Sequence, residues 1–283
     1  MRGLATTICG PLLFKCAPPS RGVAMFEHLD VLDNRHVEIV DEAIANGRVG
    51  FAVQRICAAG RPDQILYEEC LARLTGLDGT VYGAYEFVPY LDAFGATPML
   101  DKHLLGLILD QLDRDPNAVL GCNLSADNFG DQAIWDGVLE QVRSRPHLAQ
   151  RLILELTETH ALQSLSFSAG AIMEIRSLGC RVALDDFGAG FASPRLIQLI
   201  DFDIVKIDKA FLHDIRCSAD GSDSFRHMVG YASCFAPIVI AEGVETETQA
   251  SAARAAGATH IQGHFFSAPA ALVTAVPDVA EVS

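Results

Sequence analysis

From residue 50 to residue 266 the chain alternates between two hydrophobic patterns. Short runs rich in apolar and β-branched residues occur at Gly50–Cys57, Ile65–Leu74, Val119–Ser125, Arg151–Thr157, Arg181–Phe187, Ile204–Ile207, Pro237–Ala241 and His260–Phe266, and have the length and composition of strands. Between them apolar residues recur at helical spacing. Met99–Leu112 places Leu100, Leu104, Leu107, Ile108 and Leu112 on one face, and Asp131–Arg143 does the same with Ile134, Val138 and Val142. Leu162–Leu178 carries Ile172 and Ile175 and stops before Gly179, while the alanine-rich Thr246–Ala256 stops at Gly257. Ser193 and Pro194 fit an N-cap followed by a proline in the first helical turn. Alternating strands and helices predict an α/β fold with a parallel sheet, and eight such strands predict a closed (βα)8 TIM-like barrel; an open doubly wound sheet is the competing arrangement. No repeat or low-complexity linker divides the pattern, so residues 31–283 read as one domain and residues 1–30 as a poorly ordered N-terminal extension.

In a βα barrel the loops at the C-terminal ends of the strands build the site, so the polar residues that end each apolar run carry the information. The runs supply, in order, Gln54; Glu69 and Arg73; Asn123; Glu155, followed by Glu158; Asp185 and Asp186; Lys206 and Asp208; Glu242; and Gln262. Any one of these alone reads as a helix cap or a satisfied surface group. Together they put several carboxylates at one mouth, and buried carboxylates are costly unless paired or metal-bound. Lys206 and Arg73 offset two charges, and two divalent cations would offset four. The donors are all oxygens, which suits Mg²⁺ or Mn²⁺ better than zinc or copper. The adjacent pair Asp185 and Asp186 suits two ions, one carboxylate bridging and the other holding the second ion, an arrangement used for attack of water on a phosphodiester. His260 and His264 flank Gln262 and read as core or rim residues rather than ligands.

Composition narrows the function classes. The formal net charge is −15 over 283 residues, which argues against nucleic acid polymers and anionic membranes as partners, while leaving open a small anionic ligand held through cations. No run approaches a membrane span. The eight cysteines form no CxxC pair and no zinc spacing, and read as reduced thiols of a cytoplasmic protein.

The strand-end motifs, in this order from Val49 to Pro269, resemble the EAL-domain family of cyclic di-GMP phosphodiesterases, whose name motif here reads Glu69-Cys70-Leu71. The resemblance implies a modified (βα)8 barrel with an antiparallel first strand, and hydrolysis of cyclic di-GMP to linear pGpG by a two-metal mechanism. It implies that Glu69, Asn123, Glu155 and Asp185 hold one ion and that Asp185, Asp186 and Glu242 hold or position a second. Lys206 or Glu242 would activate the attacking water; Gln262 would place substrate or water, Arg73 would hold a phosphate, and Gln54 and Asp208 would contact the nucleotide. Glu158 would anchor the loop after Asp186, and the family's habit implies a homodimer near that loop. Several motif positions depart from the family's usual residues: Arg55 follows Gln54 where proline is usual, Cys70 replaces the alanine of the name motif, and Ala189 and Phe191 stand for threonine and tyrosine. None of these is a proposed ligand. A receptor or protein-interaction domain with little turnover is the competing function.

Overall fold

The computed structural model describes residues 35–157, 165–189, 198, 200–219 and 221–274. Ten strands form one sheet, and eight of them close into a barrel. The barrel strands are β1 (Val49–Ala58), β2 (Arg61–Thr75), β4 (Leu120–Leu124), β5 (Leu152–Thr157), β6 (Arg181–Phe187), β7 (Ile204–Ile207), β8 (Ile238–Ala241) and β9 (His260–Gln262). β2, β4 and the strands through β9 run parallel, and β1 closes the ring by pairing antiparallel with both β2 and β9. The closed barrel and its antiparallel first strand are those expected from the sequence. Two strands were not anticipated: β3 (Val81–Gly83) pairs with β2, and β10 (Ala270–Thr274) pairs with the N-terminal half of β1. Both are short antiparallel additions outside the βα rhythm, so periodicity does not announce them.

The described helices are α1 (Arg35–Ala45), α2 (Ala84–Ala93), α3 (Thr97–Arg114), α4 (Gln132–Arg143), α5 (Leu165–Ser177), α6 (Lys209–His213), α7 (Ser224–Ala232) and α8 (Glu247–Ala256). Gly257 ends its helix as read, and the structure adds two N-terminal caps. The Asp131 side chain accepts hydrogen bonds from the first turn of α4, Thr246 and Gln249 form a capping box on α8, and Gly257 ends α8 in the left-handed conformation. The α4 face differs from the expectation. Trp135, Val138, Leu139 and Val142 are buried, whereas Ile134 is exposed. The i, i+3, i+4, i+7 set centred on Trp135 buries more apolar surface than the i, i+4, i+8 set that includes Ile134, and the helix turns accordingly. Residues 1–30, the Ser193-Pro194 cap and Glu158 lie outside the described residues.

Inside the barrel the side chains form layers. Ile56, Tyr67, Ile153, Ala183, Ile204 and Ile240 pack together as one apolar layer. Two residues further along each parallel strand, on the same face, come Glu69, Glu155, Asp185, Lys206 and Glu242; β1 runs the other way, so there the layer above Ile56 is occupied by Gln54. The alternation of the strands thus carries an apolar floor directly into a polar layer at the mouth.

Asp101 of α3 ties the end of β4 in place. Its carboxylate accepts hydrogen bonds from the Ser125 backbone N–H at 2.8 Å and from the Asn128 amide at 2.7 Å. Burial pushes its pKa up to about 6 despite those bonds. A carboxyl group with a raised pKa holds its proton longer in the folded state, so its contribution to stability falls as pH rises from about 3.8 to about 6. Urea unfolding of the protein and of Asp101→Asn between pH 4 and pH 7 will therefore show the variant gaining on the wild type as pH rises, by on the order of 3 kcal/mol across the window. A pH-independent difference would show that Asp101 is not the titrating group.

Candidate active site

The polar layer surrounds one buried ammonium. Lys206, 1% exposed, places Nζ 2.8 Å from Glu155, 2.9 Å from Asp185, 3.0 Å from Glu242 and 3.1 Å from Glu69. Four successive strands of the barrel wall contribute, β5 with Glu155, β6 with Asp185, β7 with Lys206 and β8 with Glu242, and β2, beyond β4, adds Glu69. An ammonium has three hydrogens and cannot serve four carboxylates. Among the four, Glu69 receives a directed hydrogen bond from Nζ, whereas both Glu155 oxygens and Asp185 Oδ1 are buried without one. The ion-pair distances to Glu155 and Asp185 are short, so these two carboxylates are held to the ammonium mainly by charge.

Neutral amides complete the cage. Asn123 Nδ2 donates to Glu69 Oε1 at 3.0 Å, and Gln262 Nε2 donates to Glu69 Oε2 at 2.6 Å and to Gln54 Oε1 at 3.2 Å. Gln54 Nε2 in turn donates to the Ser267 carbonyl at 3.0 Å. Asp208 caps α6 by accepting from the Ala210 N–H at 2.9 Å.

Asp185 and Asp186 both reach the site because β6 carries an extra residue there. Leu184 pairs with Val205 and Phe187 with Ile207, so three steps on β6 match two on β7. Such a bulge breaks the in–out alternation, and Asp186 absorbs it in the left-handed region at φ 53°. Left-handed backbone is uncommon for a residue with a side chain, and Asp tolerates it better than most. The carboxylate oxygens then fall into two groups, each within 4.8 Å: Glu69, Glu155 and Asp185, and Asp185, Asp186 and Glu242. Asp185 belongs to both, the placement that a bridging ligand requires.

The uncompensated charge appears in the proton affinities. Burial, opposed by Lys206 but reinforced by Glu69 and Asp185, pushes the Glu155 carboxyl up to about 8. Burial and the charge of Asp185 push Asp186 up to about 6. Burial also raises Glu242 well above the ordinary carboxyl range, with Asp185, Glu69 and Asp186 adding to the rise. Glu69 is the exception: burial alone would raise it, but Lys206 and the hydrogen bonds from Asn123 and Gln262 bring it below its ordinary value. Lys206 loses by burial and regains more from its four carboxylates, so it holds its proton well above the usual lysine range. Orphaned buried acceptors, an all-oxygen donor set and a shared central carboxylate fit divalent hard cations.

Above the cage lies a cavity of about 300 Å³, lined by Gln54, Glu69, Asp185, Asp186, Asp208, Glu242 and Gln262 among others. Glu155 and Lys206 lie beneath it, fully buried. Arg73 does not line this cavity: its guanidinium donates to the Leu71 and Ala72 carbonyls at 3.2 and 2.8 Å. Three lining residues escaped the sequence reading or were given a lesser part: Lys209, Glu245 and His264. Lys209 directly follows Asp208 at the end of β7, a position that could have flagged it. His264 is exposed at the rim.

A family model described as EAL domain matches residues 37–269. The uncharacterized protein y4lL of Sinorhizobium fredii is 29% identical over 228 residues, covering 80% of this chain and 27% of its own length. The cyclic di-GMP phosphodiesterase PdeF of Escherichia coli is 26% identical over 219 residues, covering 76% of this chain and 29% of PdeF. This chain therefore spans under a third of the length of these curated relatives. Among solved structures, the PaMucR phosphodiesterase in complex with c-di-GMP superposes with a TM-score of 0.71 at 22% identity, over 83% of this chain and 97% of that one.

If divalent cations replace the protons held by the cage, binding must release those protons. Below pH 8 Glu155 has to lose a proton before it can act as a ligand, so affinity for Mn²⁺ will rise with pH from 6 to 8, by up to about tenfold per pH unit for each proton displaced. Calorimetric titration in buffers of different ionisation enthalpy checks both the trend and the proton release; a constant Kd with no buffer dependence would contradict it.

Proposed function

The chain belongs to the EAL-domain family, and on that premise we propose that it is a phosphodiesterase that opens cyclic di-GMP to linear pGpG with the help of two Mg²⁺ or Mn²⁺ ions. The observation that carries this reading is the cage in which one ammonium faces four carboxylates and leaves buried acceptor oxygens unsatisfied. Bound ions would supply charge neutralisation and Lewis-acid polarisation of the phosphodiester. Glu69, Asn123, Glu155 and Asp185 would hold one, and Asp185, Asp186 and Glu242 the other.

The residues of the chain divide the remaining work. In the reaction a water oxygen adds to phosphorus, the P–O3′ bond breaks, the water gives up a proton and the 3′ oxygen gains one. Lys206 holds its own proton firmly and so cannot take the water's, which leaves Glu242, in its ionised form, as the acceptor. Lys206 then acts as a fixed positive charge beside the developing negative charge. Gln262 and Gln54, linked to each other and to Glu69, would orient the attacked phosphate and the adjoining ribose. Asp208, at the cavity wall, would contact the nucleotide. Arg73 would take a substrate phosphate only after releasing its own strand's carbonyls. Glu158 keeps its proposed part as the anchor of the loop after Asp186. A homodimer near that loop and a cytoplasmic location complete the proposal; among the described residues no helix is long and apolar enough to cross a membrane.

The test is incubation with cyclic di-GMP and Mg²⁺ or Mn²⁺, followed by chromatographic separation of the nucleotides. The expected result is pGpG, absent with EDTA and reduced at least about 10³-fold in Glu69→Ala. Binding of cyclic di-GMP without product under either metal would instead establish a receptor.

A further inference from the structure

Within the barrel's apolar layer one side chain carries a polar atom, and that is Tyr67. It is 1% exposed, and its hydroxyl has no hydrogen-bond partner. Tyr67 precedes Glu69 by two residues on β2, so it stands on the same inward face, immediately below the carboxylate cage. A phenylalanine would fill the same space without leaving a buried donor unsatisfied, so the bare hydroxyl calls for an explanation.

The neighbouring strand supplies one. Gly121 on β4 lets neighbouring side chains close onto the strand, because a Cβ at that position would come within 2.1 Å of Glu155 Oε1 and 2.7 Å of Tyr67 Cε2. The two side chains therefore meet over the same backbone position, where they fit because residue 121 has no side chain. Glu155 Oε1 is likewise buried with no hydrogen-bond partner. The ring of Tyr67 and Glu155 Oε1 thus lie beside one glycine, and the first residue carries an orphaned donor where the second carries an orphaned acceptor. Glu155 Oε2 lies 2.8 Å from Lys206, which draws the carboxylate towards the barrel axis. The terminal torsion of a glutamate is soft, so a modest turn of the carboxylate changes which groups its two oxygens meet.

We propose that Tyr67 is a positioning residue, whose hydroxyl donates to Glu155 Oε1 when the other oxygen of Glu155 holds a divalent cation. The inference rests on the metal-dependent reading above and names a group outside the ligand set that completes it. Partners of this kind orient a ligand and raise metal affinity without touching the ion. The missing side chain at Gly121 belongs to the same device, since even alanine there would press on both groups.

Tyr67→Phe removes the hydroxyl and keeps the ring. Thermal unfolding of the cation-free protein and calorimetric Mn²⁺ titration, each on wild type and variant, separate the two roles. The expected result is an unfolding temperature equal to or above that of wild type, together with a Mn²⁺ Kd about tenfold weaker. In a Glu155→Gln background the same substitution will change the Mn²⁺ Kd less than twofold, because the group through which Tyr67 acts is altered. A Tyr67→Phe protein that binds Mn²⁺ within twofold of wild type overturns the inference, as does one whose cation-free stability falls in step with its affinity. A wild-type protein that binds no Mn²⁺ overturns the metal-dependent reading, and this inference with it.

Discussion

One ammonium ion among four carboxylates governs this barrel. Charges taken out of water must recover their hydration from partners, and Lys206 cannot do so for Glu69, Glu155, Asp185 and Glu242 at once. The imbalance accounts for the other features of the mouth. The amides of Asn123 and Gln262 point their N–H groups at Glu69, which lets that carboxyl stay ionised while Glu155 and Glu242 are pushed towards neutrality. Glu155, whose oxygens accept from neither amide, is the group whose proton affinity rises to about 8. Two carboxylates of one cage, on strands separated by β4, thus differ in ionisation because one has donors and the other has not.

The barrel makes this concentration of charge possible by geometry alone. Parallel strands set side by side deliver residues of the same height to the same plane, and the step from the isoleucine-rich floor to the charged layer is two residues on each strand. β6 is where that rule yields. Its extra residue lets consecutive aspartates serve one site, at the expense of a left-handed Asp186. Strained backbone of this type persists where the surrounding structure enforces it, and here β7 pairs on both sides of the bulge.

Much of this was legible in the sequence, and the limits are physical. The apolar runs marked all eight barrel strands, and the polar residues closing them marked the carboxylate cage, because strand length and side-chain alternation are local properties. The facing of α4 was read one position off, since the choice between Ile134 and Trp135 depends on the surface the helix meets. Arg73 sits on the inward-facing side of β2 as expected, yet its guanidinium turns to carbonyls of its own strand. Backbone spacing cannot foresee such a rotamer. Tyr67 escaped notice because a tyrosine in an apolar run looks like core, and its bare hydroxyl becomes visible only beside Gly121 and Glu155.

The sign of the whole-protein field bears on whether the cage is a relic or a working device. With a formal net charge of −15, the chain repels an anionic dinucleotide at long range, and the cage itself adds negative potential at the cavity floor. A domain that only captured such a ligand would bind it better, and fold more stably, with neutral residues at Glu155 and Asp185. Their acceptor oxygens are buried without hydrogen bonds, and the charges beside them have no full compensation. Cations reverse both penalties together: they satisfy the orphaned oxygens and turn a repelling floor into an attracting one. The energetic cost of the ion-free cage is therefore an argument for ion-assisted chemistry on a phosphodiester over simple capture.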